Sequence, residues 1–262
     1  MRDAGAVTRT LIALARTDLD DEMLAQRICE AYVDGFDVDG AALSLLTALP
    51  TMTTLWATDD VALRLEELQF GLNEGACIEA ATTGAPVLVP DLRHGTETAR
   101  WPIFAEAVAE QTPVVALFAL PLQWGAVTIG VLNLYRRSAG VLDPRAWRDA
   151  LGAADAASLL LLGRRTRPPR APVTVPGSRG AGAAGAADRD GAEEDGDGWW
   201  QEAMVSHPEV HQATGMVVAQ LGIGPEDALA RLRAHAFATQ RLLSDVARDV
   251  VARRLRFTEE MR

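Results

Sequence analysis

The sequence contains no lysine: all 25 basic residues are arginines, set against 36 acids for a net charge of −11. That bias reflects a GC-rich coding sequence more than any particular chemistry, and it makes every cationic contact a guanidinium contact. There are two cysteines, Cys29 and Cys77, too few for a disulfide framework or a zinc site. No stretch approaches the ~20 consecutive apolar residues of a membrane span. The apolar run near the N-terminus is broken by Arg9 and Arg16 and lacks a signal-peptide cleavage pattern, so a cytoplasmic protein with no membrane partner is expected. No Ser-His-Asp arrangement, phosphate-binding glycine loop or paired-carboxylate signature stands out, so no catalytic residue, cofactor or metal site is expected.

What is there is a chain of 262 residues, 48% hydrophobic and 23% charged, enough for one large domain or two smaller ones. The stretch from Val210 to Phe257 reads as three short amphipathic helices. In the first, Val210, Ala213, Val217 and Leu221 recur at steps of three and four and share one face. Gly222, Gly224 and Pro225 end it, since glycine suits a C-terminal cap and proline the first turn of the next helix. The second helix opens on Glu226 and Asp227, acids favoured at the positive end of the dipole, and aligns Leu229, Leu232 and Ala236. The third is expected over 243–255, with Val246, Ala247, Val250 and Val251 buried and Arg248, Arg253 and Arg256 opposite. Helices this short must bury their stripes against one another.

This tail is locally basic. Between Ala228 and Arg256 there are seven arginines and two acids, Asp245 and Asp249. Phosphate backbone is the common partner of such a patch. The alternative is a solvated helix face with some internal pairing, Asp249 and Arg253 being four apart.

Ala213-x-Gly215, then Ala228-x-x-x-Leu232-Arg233-x-x-Ala236, then Asp245-Val246-Ala247-x-x-Val250 resembles the ANTAR domain of antitermination regulators, over about 199–257. The resemblance implies binding to paired hairpin loops in nascent messenger RNA, which prevents a transcription terminator from forming. The sequence departs from the family where His207 and Thr214 replace commonly basic positions. Pro208 also interrupts the long first helix through which many members dimerise. Arginine grips phosphate through two parallel hydrogen bonds and stacks on unpaired bases. The expected RNA-binding residues are Gln212, Arg231, Arg233, Arg248, Arg253 and Arg256, with Arg231 and His235 sharing one face of the second helix. Trp199 and Trp200 are read as anchors of the bundle, with a base-stacking platform as the alternative.

Upstream, residues 6–35 suggest two helices separated at 17–20, with Asp20 capping the second. Leu11, Ile12 and Leu14 supply the apolar face of the first; Leu24, Ile28, Ala31 and Tyr32 supply that of the second. Strands are expected at 40–46 and 53–57, joined through Pro50, then at 86–90, 114–122 and 127–135, the last two forming a hairpin about Trp124-Gly125. Helices are expected from Asp60 to about Phe70, shortly after Gly75, over 101–110, and over 142–162 with Asp143 as cap and Pro144 in its first turn. This order gives an α+β sandwich built on an antiparallel sheet.

Gly75-Ala76-Cys77-Ile78-Glu79-Ala80, Pro86 to Leu92, Arg100-Trp101-Pro102-x-Phe104 and Ile129 to Tyr135 resemble a GAF domain of the bacterial signalling type, over about 6–162. The implied fold is an antiparallel sheet flanked by helices, followed by the all-α three-helix ANTAR domain. The resemblance implies an unknown small-molecule or redox signal, a pocket between the sheet and residues 70–105, and a homodimer formed through terminal helices. Cys77 is the candidate pocket residue; a small buried hydrophobe is its alternative role, and Cys29 reads as core. Free-methionine sulfoxide reductases of this fold gather several cysteines in the pocket, which this chain does not supply. His207 and His211 stand four apart without a third metal ligand, and His94 reads as a loop residue.

Residues 163–198 contain eight glycines and four prolines without apolar periodicity, and read as a flexible linker. The first 162 residues carry 11 arginines and 22 acids, so the whole charge of −11 sits there. An acidic sensor would repel RNA and leave the C-terminal helices as the contact surface. The expectation is a sensor at 6–162 and an RNA-binding unit at 199–257 that controls antitermination. The competing reading is a ligand sensor whose C-terminal helices bind a protein partner or DNA.

Overall fold

A computed structural model describes residues 5–17, 19–46, 52–165, 208–239 and 241–258. The expected linker beyond residue 165 lies outside the described residues, as do Pro50, Trp199, Trp200 and His207. The N-terminal part contains α1 (Ala6–Leu14), α2 (Asp21–Gly35), β1 (Gly40–Leu46), β2 (Met52–Ala57), α3 (Asp60–Leu72), α4 (Ala76–Thr83), β3 (Val87–Val89), α5 (Gly95–Arg100), α6 (Pro102–Gln111), β4 (Ala116–Trp124), β5 (Val127–Arg136) and α7 (Pro144–Arg165). The five strands form one sheet in the order β2-β1-β5-β4-β3, every neighbouring pair antiparallel.

Helix starts follow side-chain caps. Asp20 Oδ1 accepts the Met23 amide at 2.7 Å, Asp59 Oδ1 the Ala62 amide at 2.7 Å, and Asp143 Oδ1 the Arg145 amide at 2.9 Å. Alternation along the strands then divides the core in two. Leu43, Phe118, Leu120, Leu132 and Leu134 face α1, α2 and α7, where Tyr32 donates to the Ala150 carbonyl at 2.8 Å. Ala42, Leu117, Ala119, Val131 and Tyr135 face α3 to α6.

In the N-terminal part, three departures from the sequence reading stand out. Ile12 is 59% exposed, because Val7 and Leu11 take the buried side of α1 and the next residue lies about 100° away. The short helix α5 has no buried residue and hence no apolar stripe to announce it. Helix α7 continues past Leu162 to Arg165.

Candidate functional site

The C-terminal part consists of α8 (Pro208–Leu221), α9 (Pro225–Ala238) and α10 (Leu243–Val251). Its core is Val210, Ala213, Val217, Ala228, Leu232, Ala236, Leu243, Val246, Ala247, Val250 and Phe257. Leu221, Leu229 and Val251, expected inside, are half-buried at its edge. Gly222 ends α8 with φ 65°, its amide bonded to the Val218 carbonyl at 2.8 Å.

Helix α10 is shorter than the expected 243–255. The Arg253 amide bonds to the Val250 carbonyl at 2.9 Å and the Arg254 amide to the Asp249 carbonyl at 2.8 Å, the paired bonds of a Schellman termination. The residue such a termination holds in the left-handed region is Arg253, at φ 59°. Glycine is the usual occupant, since a Cβ there costs roughly 1–2 kcal/mol. With no glycine at the helix end, nothing in the local sequence marks the stop. Arg248, Arg253 and Arg256 therefore do not share one helical face.

The arginines divide into three groups. Asp249 binds Arg241 Nη2 at 2.6 Å and Arg254 Nε at 2.7 Å, and these two partners lower its pKa. Arg248 pairs with Asp245 at 2.7 Å. The Asp249–Arg253 pair suggested by spacing does not form. Arg253 and Arg256 are exposed and have no acid partner among the described residues. Both precede Phe257, whose amide is held by Gln220 Oε1 at 2.8 Å. Arg233 points the other way, its guanidinium 5.5 Å from the ring of Phe70 on α3. Its Nε is buried without a hydrogen-bond partner, and desolvation lowers its pKa. Phe70 itself is 7% exposed and belongs to the C-terminal core rather than to the sheet's.

Inside the N-terminal part, buried side chains of residues 70–105 pack in one cluster with those of the sheet. Cys77 joins the buried cluster with Leu65, Leu68, Trp101 and Phe104, its Sγ 3.7 Å from Met52 Sδ. Burial, and next the charge of Glu66, push its thiol pKa well up, so it is held as a thiol rather than the reactive thiolate. Cys29 is fully buried, as expected of core. The polar feature of this interior is Glu66. Its carboxylate accepts from Ser44 Oγ at 2.5 Å and from Asn133 Nδ2 at 2.6 Å, and burial pushes its pKa up to about 7. Neighbouring Gln69 accepts the Cys77 amide at 2.7 Å. Gly75 permits that contact: it has φ 117°, and a Cβ there would lie 2.7 Å from Gln69 Oε1.

The family described as GAF domain matches residues 20–161, and that described as ANTAR domain matches residues 200–251. The chain belongs to the GAF family and carries an ANTAR domain. Among solved structures it is similar to the GAF domain from an Acinetobacter phosphoenolpyruvate-protein phosphotransferase, at 11% identity and TM-score 0.48 over 63% of this chain and 96% of that one. It is also similar to fRMsr of Staphylococcus aureus in its reduced form, at 11% identity and TM-score 0.48 over 62% and 96%. A third is the free methionine-R-sulfoxide reductase from Neisseria meningitidis in complex with its substrate, at 15% identity and TM-score 0.47 over 63% and 94%. None of the three reaches a TM-score of 0.5, and none bears on what this chain does. No curated protein matches the sequence.

Both matched domains are regulatory ones, and the pairing is that of a sensor and a regulator. No helix among the described residues is long and apolar enough to cross a membrane. Of the expected RNA contacts, the ANTAR domain presents Gln212, Arg248, Arg253 and Arg256 outward, holds Arg231 half-buried, and turns Arg233 onto the GAF domain. Sequence reasoning missed Phe70, Glu66 and the left-handed turn at Arg253. A polar Glu66 four residues before Phe70 was the available signal, since both fall on the same side of α3.

Proposed function

We propose that this chain is a signal-responsive regulator, not an enzyme, that binds hairpin loops in nascent RNA through its ANTAR domain and so controls transcription antitermination. The GAF domain senses the signal, and the protein works as a homodimer in the cytoplasm. Residues 6–162 form the sensor, 163–198 the linker and 199–257 the RNA-binding domain. The observation that carries the reading is Arg253. It is exposed and unpaired among the described residues, and it occupies a left-handed position that glycine would fill at lower energy. Conformational strain of this kind collects where a side chain has a task to perform. Arg256 lies three residues on, and together they present two guanidiniums at one end of the domain. Gln212 is exposed on α8, and the exposed Arg248–Asp245 pair costs little to open toward phosphate. Arg233 lies against Phe70 in the junction between the two domains, so docking sets this cation apart from the outward-facing arginines.

Filter binding with a hairpin RNA over a range of salt concentrations tests this. The double substitution Arg253→Ala, Arg256→Ala should lower affinity about tenfold or more and reduce the salt slope by roughly 2, with the helical spectrum intact. Unchanged affinity in the double variant would remove these residues from the interface. Binding to duplex DNA with none to RNA would favour the competing reading.

A further inference from the structure

Between the two domains lies a cleft of about 430 Å³, within the size range of small-molecule sites. One wall comes from α3 and α6 of the GAF domain, the other from α9 and the start of α10. Ile103 is 37% exposed and Phe237 is 56% exposed; both line it, together with Leu68, Leu72 and Leu242. Large apolar side chains left open to solvent on both sides of one cavity mark a place that an apolar body can fill.

The cleft also holds charge that is not matched. Of its three arginines, Arg64 is bonded to Glu67 and Gln111, and Arg241 to Asp249. Arg233 has neither an acid partner nor an acceptor for its buried Nε among the described residues. One N–H of this guanidinium is buried and unpaired and no acid among the described residues neutralises its charge, so an anion that meets its outer N–H groups in the cleft is favoured. At the rim stand Glu106 and Glu110, both exposed. They disfavour a polyanion such as a nucleotide and tolerate a single negative charge.

We propose that this interdomain cleft binds a small monocarboxylate with an apolar body, its carboxylate held by Arg233 and its body packed between Ile103 and Phe237. Because the walls belong to different domains, the ligand binds only while they are docked.

Thermal unfolding of the full chain tests this without RNA, and so stands apart from the reading above. Phenylacetate and octanoate are the probes, with inorganic phosphate and ATP as anions of other shape and charge. At least one carboxylate should raise Tm in the millimolar range while phosphate and ATP do not. In Arg233→Gln, which removes the charge and keeps a polar side chain, the apparent affinity should fall about tenfold or more. Ile103→Glu, at a position already partly exposed, should weaken binding without disturbing the fold. The proposal is overturned if neither carboxylate shifts Tm, if phosphate or ATP shifts it as much, or if the shift survives both substitutions.

Discussion

The two domains treat their titratable groups in opposite ways. The GAF domain takes one carboxyl, Glu66, fully inside and surrounds it with donors from β1, β5 and α3. The ANTAR domain keeps its arginines at the surface, pairs some, strains one, and leaves Arg233 under its neighbour without an acceptor. A satisfied buried network fixes one arrangement of a core. An unsatisfied cation at a contact makes that contact easy to release. The lesson is that the sensor interior is built to hold one state, while the domain junction is built to change.

Three substitutions would break or sharpen that contrast. The largest effect is expected at the junction. Phe70→Ala empties a buried site in the ANTAR core, costing about 3 kcal/mol or more. Thermal unfolding of the variant should resolve into two transitions, the ANTAR helices melting first; a single transition at the wild-type temperature would show that docking adds nothing.

Glu66 comes next. Its pKa is raised from 4.5 to about 7, so the folded chain favours the protonated form. The stability it contributes is full below the ordinary value and is lost as pH rises through about 7. Glu66→Gln keeps an acceptor for Asn133 and removes the charge. The variant should match the wild type near about pH 4.5 and exceed it at about pH 8, by on the order of 2 kcal/mol. Denaturant melts at the two pH values check this, and a parallel pair of curves would remove Glu66 as the titrating group.

The smallest effect is the most diagnostic. Arg253→Gly relieves the left-handed residue and should raise stability by about 1 kcal/mol, while weakening RNA binding. A gain in Tm of roughly 2–4 °C is expected. Lower stability together with unchanged RNA affinity would make Arg253 a structural residue.

Much of this architecture is legible in the sequence because it is local. Asp20 and Asp143 announce their helices, two long apolar runs about Trp124-Gly125 announce the β4–β5 hairpin, and Gly222 with Pro225 separates α8 from α9. The domain types are legible in the spread of small and apolar residues over whole domains. What is hidden is non-local. Phe70 looks like one more apolar residue at the end of α3, and only tertiary packing shows that it serves the other domain's core. Arg253 and Arg256 stand at plausible spacing for a helix face, yet the backbone leaves the helix at Val251 for reasons no capping residue signals. Cys77 itself packs among apolar side chains, and one of the cavities lies at a junction whose geometry no single segment encodes.

Glu66 and Phe70 stand four positions apart on α3, a rise of about 6 Å along the axis. One end of that short rod is anchored in the sheet by Ser44 and Asn133, and the other is embedded in the C-terminal bundle. A tilt of one helical turn thus spans the whole path between the interior of one domain and the hydrophobic centre of the next, with no need of the intervening tether.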